Sequence, residues 1–197
     1  MLVVLGLGNP GGQYDGTRHN VGKEVVSALA EGLRLRALPG RGEFTWARDP
    51  SRDLVLVAPT TYVNTTGRAV RQALEQFGAR IEDLLIVCDD FALPLGAVRL
   101  RKRGSDGGHN GLASVIYEIQ SEDFARLRVG IGPLPEGADS AEFVLSPFGP
   151  GEREAVVGAK ALARQAVMTV LQGGMDRAMN TYNVRPPASG EPGGEPD

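Results

Sequence analysis

The sequence is short of the residues that most often announce a chemistry: cysteine occurs once, as Cys88, and histidine twice, as His19 and His109, in 197 residues. A single thiol excludes an internal disulfide framework and fits a reducing compartment. No apolar run approaches the ~20 residues of a membrane-spanning helix. The chain opens on Met1, Leu2, Val3, Val4 and Leu5 without the basic start and cleavage site of a signal peptide. A cytoplasmic protein with no membrane partner is therefore expected. Excess positive charge is also missing, since the formal net charge is −3. Nothing global announces a nucleic-acid partner, although a summed charge hides local fields. Aromatic residues make up only 6% of the chain, which argues against a binding module that works by stacking bases. The 42% of hydrophobic residues suffices for one well-buried core and little more.

The pattern along the chain predicts an α/β fold. Residues 2–7 form a continuous apolar run that ends in glycine, the mark of a strand covered on both faces. Val21, Val25, Leu29 and Leu33 then recur at helical spacing, with Asn20 placed to cap the helix. Strands are expected at 42–47 and 54–58, and a helix at 66–77 that Gly78 ends. A second buried strand at 84–88 is expected to stop at the Asp89-Asp90 pair. Beyond it, the pattern predicts strands at 98–101 and 127–131, helices at 111–120 and 151–171, and a short helix at 175–182. Alternating strands and helices indicate one domain, residues 1–184, built on a twisted mixed sheet with helices on both faces. The hairpin-like spacing around 42–58 is what makes the sheet mixed. Residues 185–197 are rich in Pro, Gly and Glu and are expected to be disordered.

The first strand runs into Gly6-Leu7-Gly8-Asn9-Pro10-Gly11, which fits the dinucleotide fingerprint. The helix, however, opens only near Val21, too late to meet a pyrophosphate. The loop instead carries Tyr14, Thr17, Arg18, His19 and Asn20 from a strand end to a helix start, the usual address of a ligand site in an open α/β sheet. A neutral imidazole there can take a proton from water near pH 7, and either Asp89 or Asp90 can orient it. Cys88 is an alternative nucleophile, but adjacent strand residues point to opposite faces, so if Asp89 faces the site Cys88 faces the core. No G-x-S-x-G elbow occurs. Arg99, Arg101 and Arg103 fall on one face if the period of two holds, next to the glycine-rich 104–111. They read as a guarded edge strand or as phosphate ligands, and the second reading predicts salt-sensitive binding.

Three segments carry a resemblance to bacterial-type peptidyl-tRNA hydrolases. They are 6–22 with its Gly-Asn-Pro-Gly turn and Thr-Arg-His-Asn run, 59–67 around Asn64, and 104–111 around His109 and Asn110. The segment from Val87 to Asp90 followed by Leu93-Pro94-Leu95-Gly96 resembles the family's central motif. The match extends from residue 1 to about 184, and it departs from the family at Val63, where methionine is common. The resemblance implies a cofactor-free esterase without a metal. His19 is its general base and Asp89, rather than Asp90, the partner of that base. Asn9 favours acylated amino groups, and Asn64 and Asn110 hold the peptide and the oxyanion, with His109 beside them. Tyr14 and Tyr62 contact the tRNA end, while Arg99, Arg101 and Arg128 contact its phosphates. The partner is peptidyl-tRNA, the protein a monomer, and 142–151 a candidate mobile gate. Two rivals are carried forward. One is a metallohydrolase using His19, His109, Asp89 and Asp90, which no paired-ligand spacing supports. The other is a non-catalytic RNA-binding module on the basic strand.

Overall fold

The computed structural model describes residues 1–183; the tail expected at 185–197 lies outside them. Seven strands form one sheet: β1 (Leu2–Gly6), β2 (Leu38–Pro39), β3 (Phe44–Asp49), β4 (Leu54–Pro59), β5 (Leu84–Pro94), β6 (Val98–Arg101) and β7 (Ala125–Gly132). Their spatial order is β2-β3-β4-β1-β5-β7-β6. The four most apolar runs, β4, β1, β5 and β7, are parallel and central, whereas β3 and β6 pair antiparallel at the flanks. Around the sheet lie α1 (Val21–Gly32), α2 (Thr66–Phe77), α3 (Asn110–Ile119), α4 (Ser140–Leu145) and α5 (Arg153–Tyr182). Val25, Val26 and Leu29 of α1 and Ala159, Ala163 and Val167 of α5 cover one face; Val70 and Leu74 of α2 and Leu112 and Val115 of α3 cover the other. Fully burying a Val or Leu side chain contributes about 1.5–3 kcal/mol, so two such layers dominate the stability of the fold. The expected mixed α/β domain is the one observed.

Several details differ from the sequence reading. β5 does not stop at Asp89-Asp90 but continues to Pro94 across a register shift opposite β7. Both aspartates stay in the strand because partners meet them: His19 and His109 at Asp89, Arg128 at Asp90. Asn20 forms no capping bond to α1. Its side chain instead accepts from the Asn9 N–H at 2.8 Å and donates to the Asn9 carbonyl at 3.1 Å, clamping the glycine loop. Arg103 lies beyond the end of β6, so the period of two that grouped it with Arg99 and Arg101 does not reach it. At the C-terminus the reading agrees: α5 breaks at Gly174, whose φ of 78° separates the two helices expected there.

Gly6, the first glycine of the fingerprint, serves packing, with Gly22 against it. A Cβ on Gly6 would lie 2.4 Å from the Gly22 carbonyl oxygen, and one on Gly22 would lie 2.2 Å from that of Val87. No side chain fits, so the start of α1 presses directly onto β1 and β5. Because the four central strands are parallel, their carboxyl ends share one edge of the sheet. The turn before α1, the turn before α2, Asp89 and the segment after β7 all gather there.

Candidate active site

Three ionisable side chains meet at that edge. His19, in the turn before α1, places Nδ1 2.8 Å from Asp89 Oδ1. His109, the residue preceding α3, places Nε2 3.0 Å from the same oxygen. His109 Nδ1 in turn accepts from the Gly111 and Leu112 N–H groups at 3.0 and 3.3 Å. An imidazole nitrogen that accepts carries no proton, so the proton of neutral His109 sits on Nε2 and points at Asp89. Burial by itself raises the Asp89 carboxyl, but the adjacent His109 and His19 outweigh it and hold the group well below the usual carboxylate range. An ionised carboxylate only accepts, so His19 donates from Nδ1, which leaves Nε2 as the atom with a free lone pair.

The asparagines surround that ring. Asn9, His19, Tyr62, Asn64 and Asn110 line one pocket, and His19, Asp89, Asp90, His109, Asn110 and Arg128 line an adjoining one. Ala141 and Val144 of α4 line both, so α4 forms a wall across the pair. The polar orientation of Asn9 is settled by its neighbours: Oδ1 accepts from the Val63 N–H at 2.9 Å, leaving the Nδ2 amide to face outward. Asn64 does not cap the following helix, whose cap position is Thr65. Tyr62 is half exposed, and the edge of one ring meets the other where it packs with Tyr14, centroids 6.2 Å apart. Val63 is buried and closes against Gly111.

The loop that delivers His109 is pinned by arginines. β6 and β7 pair Arg99 with Arg128 and Arg101 with Arg126 on one sheet face. Arg126 is buried and donates to the carbonyls of Gly104, Ser105, Glu122 and Phe124, tying down the start of the glycine-rich loop. Arg128 pairs through Nε with Asp90 Oδ2 at 3.0 Å, which is what keeps the second aspartate in the strand. Arg99 is exposed and Arg101 half-buried beside them. Neither the role of Arg126 nor the bond from His109 to Asp89 was read from sequence. A histidine followed by asparagine and glycine at a helix start was the one available signal.

Cys88 is fully buried, and desolvation pushes its thiol up, so it is no nucleophile in this state. His19 Nδ1, Asp89 Oδ1 and His109 Nε2 lie within 4.8 Å of one another and make the cluster among the described residues with the donors for a metal ion. It holds three of the four residues named for the metallohydrolase reading, and Asp90 is not among them. As placed, both nitrogens donate protons to one oxygen, and a cation would have to displace both protons.

Comparison with known proteins gives a consistent result. A family model described as peptidyl-tRNA hydrolase matches residues 3–190. The chain is 42% identical over 187 residues to a peptidyl-tRNA hydrolase of Chlorobaculum parvum, covering 93% of this chain and 98% of that protein. It is 44% identical over 186 residues to one of Chlorobium phaeobacteroides, covering 93% and 98%. Among solved structures, the fold is similar to a crystal structure of peptidyl-tRNA hydrolase from Acinetobacter baumannii. The TM-score is 0.87 at 31% identity, covering 95% of this chain and 97% of that one.

Proposed function

The chain belongs to the peptidyl-tRNA hydrolase family, and on that premise we propose that water attacks the ester joining peptide to tRNA ribose while His19 Nε2 takes its proton. The observation that carries this reading is the hydrogen-bond chain from the α3 amides through His109 and Asp89 to His19, from which the tautomer follows. Two backbone amides fix His109, His109 and His19 share one ionised carboxylate, and His19 is left with its base outward. Asp89 stabilises the imidazolium that forms, as a buried carboxylate does behind a catalytic histidine. The imidazolium then returns the proton to the departing ribose oxygen, and no cofactor enters the balance. Asn64 and Asn110, which line the same pocket as His19, supply amide donors for the peptide carbonyl and the oxyanion.

Asn9 accounts for selectivity in the same terms. Its outward amide donates to the carbonyl of an N-acylated substrate and repels a protonated free amine. Wild-type protein in chelator should hydrolyse N-acetyl-aminoacyl-tRNA and spare aminoacyl-tRNA. Asn9→Asp offers the amine an acceptor instead, and the ratio of kcat/KM for the two substrates should narrow by about tenfold, equivalent to about 1.4 kcal/mol. Loss of wild-type activity on adding the chelator would favour the metallohydrolase instead.

The tRNA body falls on the face carrying Arg99, Arg101 and Arg128, beside the pocket that Arg128 lines. Arg101→Gln should weaken tRNA binding and lower the slope of log K against log salt by about 1, with kcat at saturation unchanged. Salt titrations of wild type and variant check this. The reading carries a cytoplasmic monomer with it; none of the described helices is long and apolar enough to cross a membrane.

A further inference from the structure

Arg18 immediately precedes the proposed base, yet its side chain turns away from the reaction and into a cage. Its guanidinium grips Glu152 with two bonds of 2.9 and 2.7 Å, donates to the Ile131 carbonyl at 3.2 Å, and reaches Ser146 Oγ at 3.3 Å. The rings of Phe143 and Phe148 lie 4.4 and 4.8 Å from its central carbon. The backbone repeats the attachment: Arg18 N–H donates to the Ser146 carbonyl at 3.1 Å, and Thr17 bridges Pro147. One buried cation thus fastens the strap from α4 to Glu152 onto the turn that holds His19. α4 contains no fully buried residue, and Phe143, Val144 and Phe148 pack only partly buried against the core. Its inner wall, Ala141, Val144 and Leu145, is apolar and lines the same pocket as His19.

We propose that Arg18 is a positioning residue for the reaction. Clasped by Glu152, it sets the strap as the apolar wall against which the side chain of the esterified amino acid packs, in register with His19. The proposal rests on the peptidyl-tRNA hydrolysis described above. A neutral Glu152 would leave the guanidinium without its counter-ion and loosen the strap. Arg18 also holds the Glu152 carboxyl below its ordinary range, so the clasp is complete above that range and is lost as pH falls through the lowered value.

The test uses Glu152→Gln, which keeps shape and removes charge at a position outside the chemistry, with Arg18→Lys as a second variant that keeps charge and removes the fork. The expected result for Glu152→Gln is a KM raised about fivefold for N-acetyl-leucyl-tRNA and by less than twofold for N-acetyl-glycyl-tRNA. Backbone amides from 140 to 152 should exchange at least tenfold faster, while those of β1 and β5 stay protected. Arg18→Lys should show the same pattern at smaller size. Equal KM changes for the two substrates, or unchanged exchange in the strap of a folded variant, would overturn the proposal. Exchange reports the clasp without turnover. A wild type that fails to cleave either substrate would therefore count against the function, whereas faster strap exchange would still register the clasp.

Discussion

His19→Ala should lower kcat for N-acetyl-aminoacyl-tRNA hydrolysis by about three orders of magnitude, within the range that a positioned general base contributes. KM should move by less than about twofold, because the groups assigned to hold the substrate, Asn9, Asn64, Asn110 and the arginine face, are untouched. The fold should survive. The loop around Asn9 is fixed by Asn20 and Lys23, and α1 is seated by the Gly6–Gly22 contact, none of which uses the imidazole. Steady-state kinetics with circular dichroism as a folding control separates these outcomes. A kcat within about tenfold of wild type would leave His19 no role as base.

The second large effect is expected from Asp89→Asn, at about 100-fold or more in kcat. An amide oxygen in the place of Oδ1 has two lone pairs and can still accept from both imidazole N–H groups. His109 keeps its tautomer, because Gly111 and Leu112 both donate to its Nδ1. What the amide lacks is the negative charge behind His19, which stabilises the imidazolium as the proton arrives. The loss should therefore fall on kcat, with KM within about twofold of wild type. A kcat within about tenfold of wild type would show that the charge of Asp89 does not support the base. Acid stability follows the same groups. The Asp89 carboxyl lies below its ordinary value, so its contribution is present above the unfolded-state value and is lost as pH falls through the lowered one.

The central strands, α1 from Val21 and α2 over Thr66–Phe77 were legible because burial on two faces and a helical stripe leave strong local periodicities. His19, Asp89, Asn9, Asn64 and Asn110 were legible as motif residues, and the parallel sheet gathers them at one edge. What was not legible depends on partners remote in sequence. Arg18 meets Glu152 across 134 residues and Ile131 across 113. Asp89 and Asp90 resembled a strand terminus because two adjacent charges rarely stay in a sheet, and only the histidines and Arg128 explain why these do. α4 has six residues, too few for a period to emerge. Arg126 falls just before the strand expected at 127–131, and its burial depends on carbonyls of a loop that reaches it only in the folded chain.

The central claim is that His19 carries its proton on Nδ1 and presents a bare Nε2 to the substrate. Nitrogen-15 NMR of the histidine side chains at neutral pH tests it most directly, with His19→Ala to assign the signals. The account predicts a protonated-nitrogen shift at His19 Nδ1 and an unprotonated one at Nε2, with His109 showing the reverse pattern. A proton found on Nε2 of neutral His19 would contradict it.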